Sequence, residues 1–371
     1  MNASRTIEPD DFALRARAFA DLHAGRTAEP WVGNVRARVE ALQTGAGPLP
    51  VTVHDATAGD AWICSPRTTY ADCAGEEAER YLPRALGPLG AMLPGILGNV
   101  IAGSGLDRAA SINNWLLSTN LYPALGRVPL PQLLDEAVAR WPRHALWFRS
   151  LNACDTADWL AALREHGCLP VASRQVYLYD RLVELPARHR DLRRDLALLH
   201  KTPLRHAAND RIGDADYSRI AELYALLYIG KYSRANPVYG EAFMRAWHRV
   251  GLLEFEGFRD EDGRLSTVVG LFRQANTATA PIVGYDTTQP GKAGLYRLAT
   301  ACAYRRCMAR GWRLNFSAGA AGFKRLRGGQ PAIEYSMVFA RHLPRRTRAA
   351  LRTLSAATCH IGAPLLRRFA L

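Results

Sequence analysis

Tyr285 and Asp286 stand side by side at the end of an alternating apolar run, Thr277–Tyr285. A tyrosine can donate a proton to a leaving group, and an aspartate can orient or deprotonate an amine. Adjacent strand residues face opposite sides, so only one of the two lines a cleft there. Asp286 reads equally as a turn cap. Glu254 and Glu256, two apart on an earlier strand, share one face. Looking into a cleft, either is a base acting through water; looking outward, they are surface acids. After Asp286 comes Gln289-Pro290-Gly291-Lys292-Ala293-Gly294, a turn that opens an amphipathic run. Backbone N–H groups and the dipole at a helix start favour an anion. Lys292 adds a charge suited to a diphosphate or an RNA phosphate, or is simply solvated on a Gly-rich turn. Lys324, after Phe323, suits a phosphate, a carboxylate or a ribose, or lies on a surface helix. Ser317 contacts a substrate carbonyl or caps the next helix. The stretch 228–239 gathers Lys231, Tyr232, Ser233, Arg234 and Tyr239, a polar-aromatic set suited to a small polar substrate.

Other chemistries find little footing. There is no G-x-S-x-G elbow, and Gly103-Ser104-Gly105 does not supply one. The seven cysteines contain no C-x-x-C pair, so the spacing predicts neither a metal site nor a disulfide framework. Reduced, mostly buried thiols fit a cytoplasmic protein, with Cys302 and Cys307 in the core. The N-terminus lacks the apolar region of a secretory signal. Ala85–Ala102 is the nearest approach to a membrane span, but its glycines and prolines suit a loop or short buried helix.

The elements that must position these residues come in two sets. At 371 residues the chain is long for one ordinary domain and suits two of roughly 150–200 residues each. Its net charge of +14 is lopsided: residues 1–200 sum to −1 and residues 201–371 to +15. The bases are 44 Arg and only four Lys (201, 231, 292 and 324). A GC-rich bacterial codon bias explains the arginines. A lysine retained against it marks a place where a compact ammonium serves better, or is a chance survivor. Helical spacing is read over Asp11–Leu22 and Trp31–Leu42, a hairpin over Val51–Ala56 and Ala61–Cys64, and a strand over Ala110–Thr119. A helix Leu130–Arg140 and strands Ala145–Leu151 and Val171–Tyr179 follow. The same order returns from Asp216, with strands Leu252–Phe258, Leu265–Arg273, Thr277–Tyr285, Arg313–Ser317 and Ala332–Ala340. A long helix Leu295–Ala309 lies among them. The predicted layout is a domain at 1–182, a basic linker at 183–205, a second domain at 206–342 and a basic helical tail at 343–371.

This order, helices–β–β–β–α–β–α–β given twice, resembles the GNAT acyltransferase fold, and the duplication resembles its Fem-type tandem branch. The local likeness lies in residues 284–329, at Gly311, Asn315-Phe316-Ser317, Gly319 and Phe323-Lys324. The resemblance implies an α/β (α+β) class with two tandem domains, each a mixed, mostly antiparallel sheet flanked by helices. It implies a strand pair that splays to expose backbone N–H groups to an acyl carbonyl. It also implies a donor turn of the form (Q/R)-x-x-G-x-(G/A), matched at Gln289 and Gly294 but with Lys292 in place of the middle glycine. Phe323 stands where many such enzymes place a tyrosine acid. The implied catalytic residues are Tyr285, Asp286 and Glu254. The donor-binding residues are Gln289, Gly291, Lys292, Ala293, Gly294 and Lys324. The substrate-binding residues are Lys231, Tyr232, Arg234, Tyr239 and Ser317. The implied activity moves an acyl group from acyl-CoA to the amine of a small molecule or amino acid, with no tightly bound cofactor and no metal. Two alternatives stand beside it: transfer from aminoacyl-tRNA, favoured by the basic half, and a non-catalytic basic binding module. The neutral first copy, with Asn120–Gly126 at the equivalent turn, is expected to wall the acceptor pocket or to be a structural repeat.

Overall fold

The computed structural model describes residues 11–81 and 87–369. The lead-in at 1–10 and the start of the apolar segment at 85–86 lie outside the described residues. Among the described residues there are twelve strands: β1 (Arg26–Thr27), β2 (Arg38–Thr44), β3 (Gly47–Asp55), β4 (Arg108–Ile112), β5 (Ala145–Asn152), β6 (Leu169–Tyr179), β7 (Arg205–Ala207), β8 (Glu254–Arg259), β9 (Leu265–Gln274), β10 (Thr277–Tyr285), β11 (Arg313–Asn315) and β12 (Gln330–Phe339). Contacts divide the chain into two units. One holds Ala16–Val176, Ser233–Pro237 and 332–369; the other holds 11–15, Tyr177–Tyr232 and Val238–Pro331. The units are therefore not contiguous in sequence, unlike the layout read from the residues.

In the first unit the strand order is β1-β2-β3-β4-β5-β12-β6. The hairpin is β2–β3, closed where Thr44 Oγ1 donates to the Gly47 carbonyl. It is not the hairpin predicted at 51–56 and 61–64. Asp60 is drawn into the interior, where it accepts from Arg36 and pairs with His54, so residues 61–64 turn instead of extending. The predicted helix Trp31–Leu42 is instead turn and strand. Val32, Val35, Val39 and Leu42 fit helical spacing, but buried Val35, Ala37 and Val39 fit a period of two, and β-branched residues favour the strand. β4 pairs in parallel with β5 only as far as Ile112↔Phe148. Asn113 then takes φ +56°, ending the strand that the sequence carries on to Thr119. The apolar segment forms α3 (Gly87–Ser104), and no helix among the described residues is long and apolar enough to cross a membrane. Two helices follow β12 (α12, Arg345–Ala357; α13, Ala363–Phe369).

In the second unit the order is β11-β10-β9-β8-β7, with the end of β6 beside β11 through Leu178↔Asn315 and Tyr179↔Leu314. Here the sequence reading of β8, β9, β10 and α10 (Leu295–Arg310) holds to within a few residues. α10 lies close on the sheet because Ala299, Thr300, Ala301, Cys302 and Ala303 are small and all buried. α8 (Tyr217–Ala225) crosses β10 at Gly284, where a Cβ would meet the α8 backbone at 2.7–2.8 Å. The chain continues from α8 as a π-helical turn, Leu226–Tyr232.

Candidate active site

β10 and β11 pair in parallel at only three positions, ending at Thr279↔Asn315. Beyond that, β10 runs on to Tyr285 paired with β9 alone, after an irregularity between Thr279 and Ile282 that includes Pro281. Among the described residues, the backbone groups of this stretch that face β11 have no strand partner. At the mouth of the opening Thr279 Oγ1 is buried without a hydrogen-bond partner among the described residues. The splay implied by the resemblance is present.

The turn after β10 leads directly into α10. Gln289, Gly291, Lys292 and Ala293 are exposed. Gly291–Ala293 form one 3-10 turn, and Gly294 takes φ +66° at the N-cap, a conformation open to glycine. The helix ladder begins with Leu298 N–H donating to Gly294 O at 2.9 Å, so the N–H groups of the first turn point outward from a 16-residue helix. Gln289 through Gly294 thus form an open cationic turn at a helix start.

Tyr285 closes β10 half-buried, and Lys231 Nζ donates to its hydroxyl at 3.3 Å. The structure brings these two together from 54 residues apart. Around them stands a group of tyrosines that the sequence reading did not assemble. Tyr296 is 6.0 Å from Tyr285 by ring centroids, Tyr228 stacks on Tyr224 at 4.6 Å, and Tyr232 is 6.1 Å from Tyr228. Burial, reinforced by the neighbouring tyrosines, holds the Tyr296 hydroxyl well above its ordinary range. The available signal was the four-residue spacing of Tyr224, Tyr228 and Tyr232, which aligns them on one helical face. Phe323 lies 4.9 Å from Tyr296, and the Arg327 guanidinium stands over its ring at 3.3 Å.

Several expected roles are corrected. Lys324 is only 4% exposed, and its ammonium donates to the carbonyls of Phe316, Ser317 and Ala318 at 2.6, 3.2 and 2.7 Å. It holds the end of β11 and has no donor left for a phosphate. Asp286 is a turn cap: Thr288 donates to it through N–H and Oγ1, and Arg219 Nη2 through a 2.8 Å ion pair. Burial pushes its carboxyl up, but these hydrogen bonds outweigh burial and hold it below the usual range, the wrong direction for a base. Tyr239 is a core ring, 4.3 Å from Phe243 and 5.1 Å from Tyr224. Glu254 pairs with Arg306 on the α10 side of β8, in a cavity of about 230 Å³ with His206, Glu256 and Arg305. It does not stand at the β10–β11 opening. Ser317 does not cap α11 (Ala321–Arg325), whose N-cap is Ala320. It takes φ +55° two residues beyond β11, with its carbonyl accepting from the Tyr177 N–H. Arg234 is exposed in the Ser233–Pro237 segment of the first unit, where Asn34 donates to its carbonyl. Cys302 and Cys307 are core residues, as expected.

In the first unit the matching opening beyond Ile112 and Phe148 is filled by its own side chains. Asn114 Nδ2 donates to Thr52 Oγ1 and to Ile63 O, and Arg149 Nη1 donates to Ile63 O. Trp115 Nε1 donates to Asn113 Oδ1, and Tyr122 OH donates to Arg149 O.

No family model matches the chain, and no curated protein does. Among solved structures it is similar to L-PGS from Bacillus licheniformis, at 10% identity and a TM-score of 0.51 over 96% of this chain and 99% of that one. It is also similar to FemX (10% identity, TM-score 0.45, covering 61% and 79%). A third is a tandem GNAT protein from the clavulanic acid biosynthesis pathway (13%, 0.38, covering 64% and 76%). With its twice-given element order, its parted β10 and β11 and its alignment along nearly the whole chain, the protein has a tandem GNAT fold, mixed α/β in both copies.

Proposed function

We propose that the chain transfers an acyl group from an acyl-CoA thioester to an amine by direct attack, at the β10–β11 opening of the second unit. The observation that carries this reading is the juxtaposition of unpaired β10 backbone with the open turn Gln289–Gly294 at the start of α10. The turn receives the diphosphate through backbone N–H groups and Lys292. Backbone N–H groups of β10 polarise the thioester carbonyl and stabilise the oxyanion. Tyr285, beside Lys231, donates a proton to the departing thiolate and takes back the proton that the attacking nitrogen loses, so the transfer is balanced without a further base. Catalysis then rests on positioning and charge stabilisation, with no covalent intermediate.

One observation favours a second reading, aminoacyl transfer from aminoacyl-tRNA: residues 201–371 carry +15, and residues 341–371 contain seven arginines and no Asp or Glu. Thermal unfolding with acetyl-CoA and longer acyl-CoAs tests the first reading. The expected result is a rise in Tm that grows with ligand concentration. If no CoA species shifts Tm while charged tRNA is retained on filters with a steep salt dependence, the second reading replaces the first.

A further inference from the structure

Far along α10 from the donor turn, three potential metal donors converge. A ring nitrogen of His206, a Glu256 carboxylate oxygen and Cys302 Sγ all lie within 4.8 Å of one another. They come from three elements: β7 at the sheet edge, β8, and α10. His206 pairs with Phe258 in register, and Glu256 is two residues from Phe258, so both side chains share the face that α10 covers. Cys302 is eight residues into α10 from Gly294, about 12 Å along the axis. The site is therefore separate from the proposed donor turn. It borders the cavity of about 230 Å³ that His206, Glu256 and Arg305 line, so it is open to solvent on one side.

A cationic group already bridges two of the three donors, Glu256 and His206. The Arg305 guanidinium donates to Glu256 Oε1 and stands 2.9 Å from His206 Nε2, while Glu256 Oε1 is 2.8 Å from the same nitrogen. One imidazole nitrogen carries either a proton or a lone pair. It can donate to the carboxylate or accept from the guanidinium, and in either tautomer one of the two contacts goes unmet. A metal cation in place of the guanidinium satisfies the imidazole lone pair, the carboxylate and the thiolate together. Arg305 is 37% exposed and can swing into solvent.

We propose that His206, Glu256 and Cys302 bind a divalent cation of the zinc class, which displaces the Arg305 guanidinium and takes a water from the cavity as its fourth ligand. The Cys302 S–H bond breaks, the metal–sulfur bond forms and one proton passes to solvent. The cation ties the edge strand β7 to α10. No motif spacing announces these ligands, because 206, 256 and 302 meet only through the sheet and its covering helix.

The test is titration of chelator-treated protein with Co²⁺, read as thiolate-to-cobalt charge-transfer absorption and the visible bands of a tetrahedral site. One equivalent should bind and be displaced by Zn²⁺. Cys302→Ser should abolish the charge-transfer band. His206→Ala, at a partly exposed edge position, should weaken binding at least tenfold and leave the fold intact. Arg305→Ala should tighten binding. The proposal is overturned if neither the parent nor Arg305→Ala gives a thiolate band, or if the band persists unchanged in Cys302→Ser or in His206→Ala. Exposed Cys154, replaced by Ser throughout, is removed as a competing thiol.

Discussion

Lys324 gives all three of its ammonium donors to carbonyls at the end of β11. Its type and neighbours in sequence suit a ligand contact, but its surroundings make it a structural cation. Three converging carbonyls match a tetrahedral ammonium better than a planar guanidinium, which agrees with a lysine being kept in an arginine-rich chain. Lys324→Met should lower stability by about 2–4 kcal/mol, because the carbonyls lose a charged donor. Lys324→Arg should fail to restore it. Urea unfolding measures both, and a loss under about 1 kcal/mol for the Met variant would show that the carbonyls find water instead. Asp286 teaches the same lesson: Arg219 is distant in sequence, yet it decides that the carboxylate is an anchored cap.

The element carrying most of the proposed chemistry is α10, together with the turn that opens it. Gly294 at φ +66° turns the chain into the helix, and the first-turn N–H groups and Lys292 face outward. A charge at this end of the helix should matter to a phosphate, and an equal charge at the other end should not. Lys292→Ala should therefore weaken acyl-CoA binding several-fold, by roughly 1 kcal/mol. Arg310→Ala, at the far end of the same helix, should leave binding unchanged. Isothermal titration of both variants decides the matter, since equal effects would mean that Lys292 acts only through overall charge. The boundaries of β10 and α10 were legible because both have long, regular patterns ended by turn residues. β2 was not, because Val32, Val35, Val39 and Leu42 satisfy two periodicities at once, and only pairing with β3 selects the strand.

For the molecule as a whole, two buried histidines contribute opposite dependences of stability on pH. His54 is buried between Asp60 and Asp107. Burial works against its charge, but the hydrogen bonds and charges of the two aspartates prevail and raise its pKa to about 9. The stability it contributes is complete below pH 6.5 and is lost as pH rises through 9, amounting to about 3 kcal/mol at most. His23 is shifted the other way: burial first, then Arg26, lowers its pKa to about 3. It must become charged on unfolding, so stability falls as pH drops from 6.5 towards 3. Both lie in the Ala16–Val176 segment, whose Tm should peak near pH 6.5. In His54→Gln the alkaline limb should flatten; a limb as steep as in the parent would assign that loss to other groups. The sequence alone determined the duplicated order of elements, the strand–turn–helix around Gln289–Gly294 and the concentration of charge in residues 201–371. Periodicity, turn residues and composition are local properties that no distant contact alters. Only the tertiary structure decided that β12 lies between β5 and β6, that Lys231 meets Tyr285, that Lys324 and Asp286 are held by other groups, and that His206, Glu256 and Cys302 converge. Each of these depends on which residues, far apart in the chain, the packing of helix on sheet brings within bonding distance.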